Sequence, residues 1–248
     1  MSRKPMRVLV WDENGSHVPT DVYPDNIRGA VAAGLSELGA EQVEVRTAHL
    51  DEPYQGLPGL ALNEIDVLVW WGHRRHDEVT DENAGRIVEH VRQHGLGFIA
   101  LHSAQYSKPF RKLLNCTGDL KGGWRDELFP EEILVCAPRH PITHGVPGFT
   151  LALEEMYGAP FDVPPPETVV FQSHFPHDRA YFPSGCCWTV GAGIDPQFRS
   201  GPGHGVGQGK GAGRVFYFRP GHETVPTYFN PDIRHVLLNA VRWAAKRV

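Results

Sequence analysis

Histidine is unusually frequent in this chain of 248 residues, at 14, and where the histidines fall matters more than their number. His73 and His76 stand three apart in G-H-R-R-H-D-E, His102 precedes Ser103 in A-L-H-S-A, and His222 precedes Glu223 in P-G-H-E. A neutral imidazole can take a proton, ligate a metal or hydrogen-bond a hydroxyl, and a neighbouring carboxylate can fix its tautomer. His102, His222 and Glu223 are therefore the candidate acid–base residues. His73, His102, Glu155 and His222 form a candidate ligand set for zinc, manganese or iron, because imidazole and carboxylate are the usual donors to those ions. The spacing is far less specific than H-E-x-x-H. The same histidines can instead hydrogen-bond a polyhydroxylated ligand, and His102 can be a buried structural residue.

A wider set is expected to bind substrate: His73, His76, Ser103, Tyr106, Trp124, Arg125, Glu155 and His174. Ser103 beside His102 invites a nucleophile–base reading, but G-F-I-A-L-H-S-A lacks the flanking glycines of a G-x-S-x-G elbow. Glu154 and Glu155 are adjacent, so in a strand they face opposite sides and only one can point inwards; a solvated acidic pair is the alternative. Trp124 and Arg125, in a stretch read as a long loop over residues 117–132, suit a lid that stacks on a sugar face. The glycines of G-P-G-H-G-V-G-Q-G-K-G-A-G (201–213) lead into a strand, whereas a phosphate loop leads from a strand into a helix N-terminus. They read as a flexible connection, and no nucleotide cofactor is expected.

These residues need elements to hold them at one place. Residues 6–11, 66–71 and 98–101 are short apolar runs suited to strands buried on both faces of a parallel sheet, and 43–48 is a more peripheral, alternating strand. Helical spacing over 24–38, and over a segment N-capped at Thr80 and running to about His94, separates them. Alternating strands and helices predict a parallel sheet with helices on both faces, and ligands then sit outside the carboxyl ends of the strands. The clusters at 72–78, 102–103 and 222–223 each follow a predicted strand, as does Asp12-Glu13-Asn14. Further strands are expected at 132–137, 149–153, 169–173, 187–192 and 214–219. A glycine-rich hairpin excursion fills 194–213, and a helix over 231–246 closes the chain. No linker divides it, so residues 1–248 are expected to be one domain.

Net charge of -5 and a pI near 6.3 lack the basic footprint of a nucleic-acid binder. No run approaches the roughly 18 uninterrupted apolar residues of a membrane span. The first apolar run is too short for a signal-peptide core, so a cytoplasmic protein is expected. The four cysteines, Cys116, Cys136, Cys186 and Cys187, form no C-x-x-C pair and read as small buried hydrophobes in a reducing compartment.

Four ordered blocks add a resemblance: W-W-G-H-R-R-H-D-E-V, G-L-G-F-I-A-L-H-S-A-Q-Y-S-K, E-E-M-Y-G and F-Y-F-R-P-G-H-E-T-V-P-T-Y. Together they resemble the ThuA-like trehalose-utilisation family. The resemblance implies a three-layer, flavodoxin-like fold of the class I glutamine amidotransferase type, with a mostly parallel sheet. It implies a role in disaccharide or keto-sugar catabolism, with a 3-keto-glycoside as the expected substrate class. A histidine base next to a carbonyl leads to isomerisation, epimerisation or elimination, so the chain would be an isomerase or a lyase. The alternatives are a non-catalytic sugar-binding partner of a sugar oxidoreductase and a metal-dependent hydrolase. Amidotransferases place a cysteine nucleophile at the elbow after the central strand; here the elbow carries His102-Ser103, and glutamine hydrolysis is not expected. The glycine-rich insertion and the Cys186-Cys187 pair depart from the family pattern. The apolar closing helix and the tryptophans leave room for a homo-oligomer.

Overall fold

The computed structural model describes residues 4–58, 61–191 and 211–247. The chain begins with β1 (Met6–Asp12), α1 (Asn26–Gly39), β2 (Val43–His49), β3 (Val67–Trp71), α2 (Asp81–His94), β4 (Gly97–Leu101) and α3 (Lys108–Leu114). It continues with β5 (Trp124–Val135), β6 (Phe149–Tyr157), β7 (Thr168–Phe175), β8 (Ala180–Val190), β9 (Gly213–Phe218) and α4 (Pro231–Ala244). All nine strands join one sheet in the order β2-β1-β3-β4-β9-β8-β7-β5-β6. From β2 to β9 the pairing is parallel; from β9 outward it is antiparallel.

Alternation along each buried strand creates two cores. Val8, Val10, Val67, Val69, Ile99 and Phe216 pack against Ile27, Val31 and Leu35 of α1 and Ile233, Val236 and Leu237 of α4. On the other face Leu9, Leu68, Trp70, Phe98 and Val215 pack against Ile87 and Val91 of α2 and Phe110 and Leu113 of α3. The result is the expected three layers. Thr80 caps α2 as read from sequence, its hydroxyl accepting the Asn83 N–H at 3.3 Å. No helix among the described residues is long and apolar enough to cross a membrane.

The antiparallel half departs from the sequence reading. Residues 124–132, taken as part of a loop, belong to the twelve-residue β5, which pairs with β6 on one side and β7 on the other. Register shifts between Arg125 and Leu128 and between Phe129 and Glu131 interrupt its ladder with β6, as β-bulges do. The strand expected at 149–153 runs on to Tyr157, which places Glu154 and Glu155 inside it. The glycine-rich segment lies outside the described residues up to 210. The strands that flank it pair antiparallel, Val190 opposite Gly213.

Candidate functional site

The site is built where the parallel strands end. After Leu101, His102 takes φ +53°, a left-handed backbone that a non-glycine residue adopts only at some cost. The chain turns there from strand into a 3-10 turn over His102–Tyr106, and the imidazole is fully buried. His102 Nδ1 lies 3.2 Å from the Arg219 carbonyl. A carbonyl only accepts, so Nδ1 carries the proton and Nε2 keeps its lone pair. Nε2 faces Glu155 Oε2 at 3.3 Å and the Tyr157 hydroxyl at 3.4 Å.

His73 arrives from the end of β3. Its N–H and those of Arg74 and Arg75 all donate to the buried carboxylate of Glu13, at 2.8 to 2.9 Å, which fixes this loop from the end of β1. The His73 ring bonds Ser103 Oγ through Nδ1 at 2.7 Å, and Ser103 Oγ meets the Tyr157 hydroxyl at 2.8 Å. Nε2 of His73 is 3.7 Å from Glu223 Oε1. The loop after β9 is gripped in the same way by Glu154, whose carboxylate takes the Gly221 N–H at 3.1 Å and the Thr227 hydroxyl. That loop brings His222 edge-on to the rings of His73 and His102, at 6.0 and 5.6 Å between centroids.

Behind the cluster, Arg219 is fully buried and ion-paired to Glu131 and Glu154, and it donates to the Glu155 carbonyl at 2.5 Å. Burial shapes the charges: desolvation, then the neighbouring His73, His222 and Arg219, push His102 well below the ordinary imidazole range. His73 is lowered by burial against the pull of Glu223. Glu155 is pushed up to about 8 by burial, against Arg219. At neutral pH the site therefore offers the neutral imidazoles of His73 and His102 beside a protonated Glu155.

His73, His102, Ser103, Glu155, His222 and Glu223 converge. The three with ligand atoms all within 4.8 Å of one another are His73, His102 and Glu223, so Glu223 stands in this trio where Glu155 and His222 were expected. Two imidazoles and a carboxylate suit a borderline divalent cation such as zinc, manganese or iron. Buried Glu155 Oε2 and Glu223 Oε2 have no hydrogen-bond partner among the described residues, which also fits a site made to receive a bound group.

His76 stands at the margin of the cluster, beside Gly72 and near Glu13 and His73, with its ring 6.3 Å from that of Tyr106, and burial lowers it to about 4. Other expected residues lie elsewhere. Trp124 and Arg125 are not on a loop lid. They stand on β5, where Trp124 is 55% exposed and donates to Asp126, and Arg125 pairs with Asp178 at 3.5 Å. His174 is taken up by Glu132 at 2.8 Å and by the Tyr181 ring. The expectation that only one of Glu154 and Glu155 points inwards is also corrected. Both are buried, because the two faces of β6 are covered at that point.

Sequence reasoning missed His17, Tyr157, Arg219 and the gripping role of Glu13 and Glu154. His17 lies 3.4 Å from Glu13 and 5.6 Å from the His73 ring. Its signal was available in the polar cluster that follows β1. Arg219 had a weaker one, a lone charge ending an apolar strand.

An open sheet with a parallel half, helices on both faces and an elbow after β4 is the class I glutamine amidotransferase-like fold, here with an imidazole at the elbow. A glutamine amidotransferase from Thermotoga maritima superposes with a TM-score of 0.55 at 11% identity, over 97% of this chain and 98% of its own. A ThuA-like protein from Parabacteroides merdae gives 0.65 at 15% identity, covering 98% and 90%. Another from Bacteroides uniformis gives 0.63 at 14%, covering 98% and 93%. No curated protein matches the sequence. The family model described as ThuA, trehalose utilisation, matches residues 7–244, and the chain belongs to that family.

Proposed function

We propose that this protein is a carbohydrate-catabolism enzyme that moves protons on a keto-sugar, with a 3-keto-glycoside as the substrate class. The observation that carries the reading is the pairing at the elbow: a neutral His102 Nε2 with its tautomer fixed, 3.3 Å from a carboxyl group that burial keeps protonated. A carbonyl acidifies the neighbouring C–H. His102 Nε2 takes that proton, the C–H electrons move into the new C=C bond, and Glu155 donates its proton to the carbonyl oxygen as the enediol forms. Return of a proton to the other carbon or the other face gives isomerisation or epimerisation; departure of a β-oxygen gives elimination. Ser103 and Tyr157 supply hydroxyls that hydrogen-bond the substrate.

His73, His102 and Glu223 are the residues that would hold a divalent cation, which when bound supplies Lewis-acid polarisation of a substrate oxygen. His102 has one free lone pair, so it serves as ligand or as base and not as both. That exclusivity makes the readings separable. Proton exchange with deuterated solvent at the carbon beside the carbonyl, followed by NMR on a 3-keto-glycoside, is expected with chelator-treated protein. It should fall at least about a hundredfold in His102→Ala, the usual weight of a positioned base. Exchange that persists in that variant would sink the assignment. Exchange that appears only on adding metal would move His102 into the ligand set and favour metal-assisted chemistry. Ligand binding without exchange in either condition would favour a sugar-binding partner of an oxidoreductase.

A further inference from the structure

We infer a second small-molecule site, at the other end of the parallel strands from the histidine cluster, for a phosphorylated ligand of monosaccharide size. A cavity of about 420 Å³ lies between the segment 138–144 and the second half of α4. Ala244, in the last turn of α4, packs against Gly97, where β4 begins, whereas His102 follows the end of β4. A strand of five residues spans roughly 16 Å, so this cavity is separate from the histidine cluster.

Its lining is chemically one-sided. Arg139, Arg242, Arg247, His140 and His144 line it, and no Asp or Glu does, in a protein whose net charge is -5. Among the described residues none of the three guanidiniums forms an ion pair. Arg242 donates only to neutral amide oxygens, Gln42 at 3.0 Å and Asn239 at 3.5 Å. His140 Nδ1 accepts the Ile142 N–H at 3.2 Å, so in the neutral ring Nε2 is a further donor.

The frame that carries these groups is fixed. Asn239, 5% exposed, donates to the carbonyls of Ile142 and His144 at 3.2 and 2.8 Å and so ties the segment to α4. The Thr143 hydroxyl is held at the carbonyls of Ala137 and His140, and the His140 ring rests on Trp243 at 5.5 Å. Guanidinium forks match the oxygens of a phosphoryl group. The volume is within the range of small-molecule pockets and exceeds what a bare ion needs, which gives the ligand a body as well as a charge.

Calorimetry on the full chain tests this independently of the histidine cluster, with glucose 6-phosphate as the probe and inorganic phosphate and glucose as controls. The expected result is saturable binding of glucose 6-phosphate at one site per chain, weaker binding of phosphate and none of glucose. The double variant Arg139→Gln, Arg242→Gln should lose at least about tenfold in affinity, the loss of one or two charge-assisted contacts, while His73→Ala keeps it; matching melting temperatures check the fold. No saturable binding at millimolar ligand would overturn the site. So would affinity lost in His73→Ala but kept in the double variant. Phosphate binding as tightly as the sugar phosphate would overturn the claim that the ligand has a body.

Discussion

At the scale of single residues, the base and acid roles proposed for His102 and Glu155 rest on burial acting on the two groups with opposite sign. It destabilises whichever form is charged, lowering the imidazole and raising the carboxyl group. A general acid must hold its proton, so turnover should fall as pH rises through about 8, where Glu155 ionises. Glu155→Gln should be slow at every pH and should lose that limb; a pH–rate profile of both proteins checks it. The sign for stability is the same. The fold favours protonated Glu155 relative to its ordinary value of 4.5, so its contribution is greatest below that value and is lost as pH climbs to about 8. His73, His102, His222 and Glu223 were legible in sequence because each follows a strand that its own apolar run announces. Tyr157 and Arg219 were not, since a tyrosine or an arginine at the end of a strand reads the same whether it turns outward or inward.

At the scale of elements, the parallel half was readable and the antiparallel half much less so. β3, β4 and the Val8–Trp11 part of β1 are buried on both faces and show as unbroken apolar runs. β5 begins W-R-D-E-L-F-P-E-E, largely exposed over its first residues and broken by bulges, so neither apolar alternation nor a run marks it. The cap of α4 is a local device with a measurable weight. Asn230 Oδ1 accepts the N–H groups of Asp232 and Ile233 at 2.8 and 3.2 Å. Asn230→Ala should cost about 1 kcal/mol of unfolding free energy, read by urea denaturation, with the midpoint moving and the slope unchanged.

At the scale of the whole molecule, Arg219 joins the two halves of the sheet. It directly follows β9, the last parallel strand, and its guanidinium is ion-paired to Glu131 of β5 and Glu154 of β6, with no exposed atoms on any of the three. Arg219→Met leaves two buried carboxylates without their cation and should destabilise by roughly 3–5 kcal/mol; a shift in thermal midpoint too small for that would show the carboxylates finding other partners.

The order of the strands has a consequence for how the protein is made. β3, the neighbour of β4 on one side, precedes it in the chain, but the other neighbour of β4 is β9, and four more strands are synthesised in between. From the end of β4 at Leu101 to the start of β9 at Gly213 the nascent chain therefore carries an open, apolar sheet edge of the kind that recruits other chains. Soluble yield in a foreign host should then depend less on the stability of the finished protein than on how long that edge waits and how many other chains it meets, and fewer chains made at once, with chaperones in excess, is the condition that favours it.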